Sequence, residues 1–357
     1  MIDLDDVEAM EALDSLSILD DVEAFPRQCR DAWRIAEAAE GLPSGAGADS
    51  VLVVGMGGSG ISGNLAQAVV EPHFPLPWRV IKGYGPLPDW VGRNTCVFVM
   101  SYSGATEESL AAFEDAAERR CRIVIISSGG ALTKVARDRG AALVRIPEGL
   151  QPRASLGYLC LCLLGTLRSM QLAPDMNEDF AEAMEVLDGI AAGCGRDVPT
   201  GENPAKTLAG RLYGRVPVIY GGYGVGAAAA QRFKTDLNEY GKSPAFYNVL
   251  PELNHNEIVG WNRLGELTSA SFVVVLLRDL YEDERVALRF SATSELIAKH
   301  VSDVVEVHSE GRSPLARVLS FALITQLAAV YLGFGYGVDP GPVEAIEKLK
   351  SALENNN

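Results

Sequence analysis

Three observations predict an α/β fold of two halves, each a doubly wound parallel sheet flanked by helices. The apolar runs are short and unbroken, and each leads through a glycine or polar turn into a segment of helical period. That order occupies residues 51–150 and then recurs from 216 onward, as a pseudo-repeat. At 357 residues the chain is long enough for two such units around a large core.

Taken in order, two helical stretches precede the first strand and end in the loop LPSGAGADS at 42–50, so residues 1–45 are expected to form a helical cap. VLVVGMGGSG (51–60) is a buried strand running into glycines, and ISGNLAQAVVEP continues as a helix that Pro72 stops. WRVIKG follows, and CVFVMSYSGATEESLAAFEDAAERR (96–120) is another strand, polar turn and helix. RIVIISSGGALTKVARDRG and ALVRIPEG place two more strands around a helix. Four strands alternating with helices predict a parallel sheet covered on both faces, within a first unit spanning 46–195.

The second unit, 205–339, echoes the first. VPVIYGGYGVGAAAAQRFKTDL (216–237) matches the first strand, glycine turn and helix, and SFVVVLLRD (271–279) with a helix at 284–300 matches the third strand and its helix. DVVEVHSEGRSPLARVLSFALITQL matches ALVRIPEGLQPRASLGYLCLCLLGTL. The join falls near 188–208, and residues 340–357 form a C-terminal helix. The halves differ after the third strand: the first has Ser101, Ser103 and Thr106, the second Arg278, Asp279 and Leu280 plus an inserted segment at 241–261.

The net charge of −16, from 31 basic and 47 acidic residues, repels nucleic acid and anionic lipid, so neither is an expected partner. A bound phosphate must therefore be gripped locally. Six cysteines without a CxxC pair suit a reduced cytoplasm, and the acidic, amphipathic N-terminus does not resemble a signal peptide. Val318–Val338 is uncharged and long enough to cross a bilayer, but Ser320, Thr325, Gln326 and three glycines interrupt it. A helix buried between protein layers is the favoured reading over a membrane span.

Gly55, Gly57 and Gly60 satisfy GxGxxG, but the second strand ends on Lys82 and Gly83 where a dinucleotide site needs a ribose-binding acid, which argues against a nicotinamide-dependent oxidoreductase. GKS at 241–243 is not a P-loop, since Asp236 stands where its first glycine belongs. In SYSGATEES (101–109), Ser101, Ser103 and Thr106 set three hydroxyls around a strand end and a helix N-terminus, where free N–H groups favour a phosphate. A helix cap with incidental serines is the competing reading, and the nearby glycine turn ending in Ser59 favours binding.

GMGGSG, SYSGATEE, PRAS at 152–155 and PELNHNEI at 251–258 together resemble the sugar isomerase (SIS) family, and within it the bifunctional phosphoglucose/phosphomannose isomerases. The similarity runs from about residue 45 to 353 and includes VDPGPVEAIEKLKSAL. The resemblance implies two SIS domains, a cytoplasmic homodimer, and interconversion of glucose 6-phosphate, mannose 6-phosphate and fructose 6-phosphate without metal or cofactor. By matching motif it implies that Ser59, Ser101, Ser103 and Thr106 hold the phosphate, with Gly58 allowing close backbone approach, and that Arg153 faces the sugar oxygens. Glu239 would be the base, His255 the ring-opening group supplied across the subunit interface, and Lys350 a second cation at the substrate. The chain departs from the family in reading Asn238-Glu239-Tyr240-Gly241-Lys242 where NENAK is common.

Elementary chemistry agrees with these roles. Moving a proton between C1 and C2 of an open-chain sugar through an enediolate takes one carboxylate that removes and returns it, and a nearby positive charge stabilises the intermediate. On residues alone, a solvated helix face shared with Lys234, Asp236 and Lys242 is the favoured reading of Glu239. His255, one of four histidines, has the intrinsic pKa needed to shuttle a proton between O5 and O1, and no histidine spacing suggests a metal site. Lysines on an amphipathic C-terminal helix are ordinary surface residues unless the fold brings them inward. A non-catalytic sugar-phosphate sensor is the alternative function, one that would not require the Glu239–His255 pair.

Overall fold

The computed structural model describes residues 1–354. Three helices open the chain, α1 (Val7–Leu13), α2 (Ile18–Glu23) and α3 (Phe25–Glu37), one more than expected. Pro26 lies in the first turn of α3, where its missing N–H is tolerated, and only Ala24 separates α3 from α2. These helices are part of the core. α3 buries Phe25, Cys29, Ala32, Trp33 and Ala36, and the Trp33 ring stacks on Phe180 at 4.7 Å.

The first sheet follows as β1 (Ser50–Val54), α4 (Gly57–Val70), β2 (Trp78–Ile81), β3 (Thr95–Met100), α5 (Glu107–Glu118), β4 (Arg122–Ser127), α6 (Gly130–Arg139) and β5 (Ala142–Arg145). Its order is β2-β1-β3-β4-β5 and every pairing is parallel. The WRVIKG run supplies the edge strand β2, so the sheet has five strands where four alternations were expected. β1 and β3 are buried at every residue, which explains their unbroken apolar runs: helices cover both faces and no polar alternation is needed.

Helices α7 (Leu156–Ser169), α8 (Asn177–Cys194) and α9 (Pro204–Leu212) lead to the second half. The join is closely held: the Asn203 side chain accepts the Lys206 N–H at 3.0 Å to cap α9, and the buried Lys206 ammonium donates to the carbonyls of Arg196 and Val198. The second sheet comprises β6 (Val216–Gly222), β7 (Phe246–Leu250), β8 (Phe272–Arg278) and β9 (Asp303–His308), with α10 (Val225–Glu239), α11 (Gly265–Ser271) and α12 (Glu284–Ile297) between them. Its order is β7-β6-β8-β9, again all parallel. The segment expected to be an insertion is thus partly repeat: β7 is the counterpart of edge strand β2, and only the 3-10 turns and α11 that follow it are extra. Phe246 and Tyr247 are exposed there, so the strand lacks the buried pattern that marks the others.

The uncharged stretch near the C-terminus forms α13 (Pro314–Gly335), capped by Ser313 accepting the Ala316 N–H. It is 94% buried within the protein, packed against α8, α9, α10, α4 and α2. Each of its buried leucines and phenylalanines contributes roughly 1.5–3 kcal/mol of burial. α14 (Glu344–Glu354) ends the described chain with Ile346, Leu349 and Leu353 exposed.

Near the N-terminus, partial burial together with the charges of Asp20 and Asp14 pushes the Asp21 carboxyl up to about 6. A carboxyl raised in the folded state favours folding at low pH and loses that contribution as pH rises through its folded value. Asp21→Asn is therefore expected to raise the thermal midpoint at pH 8 and to leave it nearly unchanged at pH 4. A denaturation series across that range checks the sign, and a lower midpoint at pH 8 contradicts it.

Candidate active site

In the turn between β3 and α5, Ser101 Oγ lies 2.8 Å from Thr106 Oγ1 and accepts the Gly104 N–H at 3.1 Å. Ser103 Oγ accepts the Ala105 N–H at 3.3 Å and is exposed. Thr106 is the N-cap residue of α5, yet its hydroxyl makes no cap bond; it is spent on Ser101. That geometry disfavours a simple helix cap, because the Thr106 hydroxyl makes no bond to the first turn of α5, and a helix start favours an anion. Ser59, in the first turn of α4, accepts the Tyr102 N–H at 3.3 Å and ties the glycine turn to the hydroxyl turn. Both turns lie at the carboxyl edge of neighbouring strands β1 and β3, the switch point where the strand order reverses.

Gly58 joins this pair of turns to a third. A Cβ there would come within 3.0 Å of the Pro152 carbonyl and 3.6 Å of the Arg153 Cα. The missing side chain thus admits the PRAS turn. Arg153 itself is buried, 4% exposed. Its guanidinium donates to the carbonyls of Pro340 and Gly341 and lies 5.1 Å from the centre of the Tyr240 ring. Its Nε is buried without a partner.

The same 340–342 strap leads to Glu239. Lys242 Nζ donates to the carbonyls of Pro342 at 2.6 Å, Pro340 at 3.2 Å and Glu239 at 2.6 Å. Burial, reinforced by the Arg153 charge, holds this ammonium below the usual lysine value. Glu239 is half-buried at the last residue of α10 and lines a cavity of about 560 Å³ with Asn238, Lys242, Asp339 and the first turn of α14. Contacts through Gly58, Arg153 and the 340–342 strap thus link the hydroxyl-lined turns to Lys242 and the end of α10.

The helix face bearing Glu239 is not the solvated one that its neighbours suggested. Asp236 and Arg232 are each 1% exposed and paired, Arg232 Nε to Asp236 Oδ2 at 2.8 Å. Burial pushes the Asp236 carboxyl up to about 7 against the pull of Arg232, whose other amino group donates to the Arg153 carbonyl at 2.9 Å. The departures at 240 and 241 also have a physical account. Tyr240 is fully buried, its hydroxyl accepting from Gln326 at 3.0 Å, and a Cβ on Gly241 would stand 2.9 Å from the Leu237 carbonyl and 3.3 Å from Leu332. Lys242 and the strap were not anticipated; the one available signal was a lysine just beyond the Asn-Glu pair.

Of the expected site residues Glu239 lines this cavity; the hydroxyl turn, Ser59 and Arg153 lie outside its lining, and His255 and Lys350 are not brought to it. His255 is exposed on the turn after β7. β6 and β7 run parallel with Gly222 opposite Leu250, so His255 lies beyond the carboxyl edge of the second sheet, while α10 runs back from that edge over 15 residues, about 22 Å, before reaching Glu239. Lys350 is exposed on α14, one turn beyond Ile346 on the same helix face, and Ile346 lines the cavity.

The chain is similar to known proteins over most of its length. A family model described as the bacterial phospho-glucose isomerase C-terminal SIS domain matches residues 201–353. A bifunctional phosphoglucose/phosphomannose isomerase of Caldicellulosiruptor bescii is 36% identical over 92% of this chain and 96% of its own length. One from Aquifex aeolicus is also 36% identical, over 86% of this chain and 91% of its own. Among solved structures, a hypothetical protein from Thermus thermophilus superposes with a TM-score of 0.74 at 17% identity, covering 98% of this chain and 94% of that one, a likeness of fold.

Proposed function

We infer, from a chain that belongs to the bifunctional phosphoglucose/phosphomannose isomerase family and is an isomerase of sugar phosphates, that it interconverts glucose 6-phosphate and mannose 6-phosphate with fructose 6-phosphate through an enediolate. The observation supporting this reading is the convergence of Glu239 on the hydroxyl-lined turns through Arg153 and the 340–342 strap. Ser59, Ser101, Ser103 and Thr106, with the N-terminal turn of α5, hold the phosphate. Glu239 removes the proton from C1 or C2 and returns it to the other carbon. The enediolate oxygens exchange with the strap carbonyls as partners of Arg153, whose charge stabilises them. Deprotonation at C2 of either aldose yields the same connectivity, so one base serves both sugars.

His255 opens the ring in the site of a second subunit, a reading supported by its place beyond the carboxyl edge of the second sheet, the length of α10 away from Glu239. Its turn is flanked by exposed Val259, Leu264 and Leu267, apolar residues that a second copy of the chain would cover. Lys350 joins the substrate when α14 settles over the cavity that its first turn already lines. A sensor reading would leave the buried support beneath Glu239 without purpose.

Assaying the purified protein in chelator with both aldose phosphates, by coupled detection of fructose 6-phosphate, tests the activity; absence of turnover with both overturns the reading. Ser103→Ala combined with Thr106→Ala is expected to raise KM by about tenfold or more, since each lost hydrogen bond to a charged group is worth about 1.5–3 kcal/mol. Unphosphorylated glucose and fructose are expected to be very poor substrates for the parent protein. Equal activity on free sugars would show that the hydroxyl turn serves only as a helix cap.

A further inference from the structure

α4 and α10 pack side by side and antiparallel: Gln231 of α10 meets Lys82 beside the start of α4, and Gly224 at the start of α10 borders the same cavity as Glu71 just past the end of α4. The pair therefore has two alike ends. At one, the glycine turn after β1 faces Glu239 at the end of α10. At the other, the glycine turn after β6 faces Glu71, and between them lies a second cavity of about 220 Å³ lined by Asn64, Gln67, Glu71, Tyr223, Gln231 and Tyr247.

We propose that this second cavity is a binding site for an unphosphorylated, neutral sugar ring. Its polar lining is that of hydroxyl recognition: a carboxylate, three side-chain amides and two tyrosines. Tyr223 donates to Glu71 Oε1 at 3.0 Å and Gln67 reaches the same oxygen at 3.5 Å, which holds the carboxylate at the rim. Asn64 adds a side-chain amide to the wall, its Oδ1 buried and without a hydrogen-bond partner. Tyr223 and Tyr247 are 74% and 38% exposed and offer ring faces to the apolar side of a pyranose.

The absence of a phosphate grip sets the ligand class. Where the first half has its hydroxyl turn, the second has Arg278 and Asp279, and both are committed elsewhere: Arg278 to Glu282 and Glu306, Asp279 to Arg317 and Ser309. Glu71 is the one formal charge lining the cavity, and it disfavours an anion. The duplicated scaffold thus keeps the sugar half of the site without the phosphate half.

The test uses the full chain and methyl α-glucoside, a pyranose that lacks a phosphate and cannot open. Saturation-transfer NMR is expected to show its ring protons at about 10 mM sugar, in the range of a weak site. The signal is expected to persist under saturating fructose 6-phosphate and to fall at least about fivefold in both Tyr247→Ala and Glu71→Gln, since a few placed groups dominate such a site. Both positions are exposed, and an unchanged thermal midpoint verifies that the variants fold. No signal, displacement by fructose 6-phosphate, or full signal in both variants overturns the proposal.

Discussion

Glu239→Gln is expected to lower kcat by about 10³–10⁴-fold in both directions while fructose 6-phosphate still binds. The amide keeps the shape of the cavity wall but cannot take a proton from carbon. The phosphate turns are formed by other residues, so binding measured by calorimetry should change little. The support beneath this position makes the variant interpretable: Arg232 and Asp236 are buried and bonded to each other on the same helix, and Tyr240 is packed beneath Arg153. Retained turnover would sink the assignment of Glu239 as the base. Loss of binding together with turnover would instead show that the carboxylate orders the site.

Mixing Glu239→Gln chains with His255→Ala chains, each inactive alone, is expected to restore about a quarter of the parental activity once subunits have redistributed at random, because half the dimers are mixed and each has one of two sites intact. The length of α10 between Glu239 and the sheet edge beyond which His255 lies supports this expectation. Native mass spectrometry confirms exchange. If the exchanged mixture stays inactive, one chain must supply both groups, which the topology of a single chain opposes.

What could be read from the sequence was whatever is local. Unbroken apolar runs announced β1, β3, β4, β6 and β8, because strands covered on both faces need no polar alternation. The hydroxyl turn was visible because its residues are adjacent in the chain. β7 was hidden since an exposed edge strand carries Phe246 and Tyr247 where an inserted loop would be equally plausible by composition. The burial of Arg153, Arg232 and Asp236 was also hidden: charged residues read as surface until a partner far along the chain is known. For Arg153 that partner is a pair of carbonyls at 340 and 341, a contact no spacing rule reveals.

The placement of α13 has a consequence for how the protein works as a machine. This helix, buried along its length, packs against elements of both halves, and one continuous apolar cluster includes residues of both sheets. Many two-domain enzymes shut like jaws on their substrate. Here jaw motion would have to tear that helix from one half or the other, exposing leucine and phenylalanine side chains to water. The two halves are therefore tied at a fixed separation, as an anvil is to its block, and the width of any cleft between them is set by the fold itself.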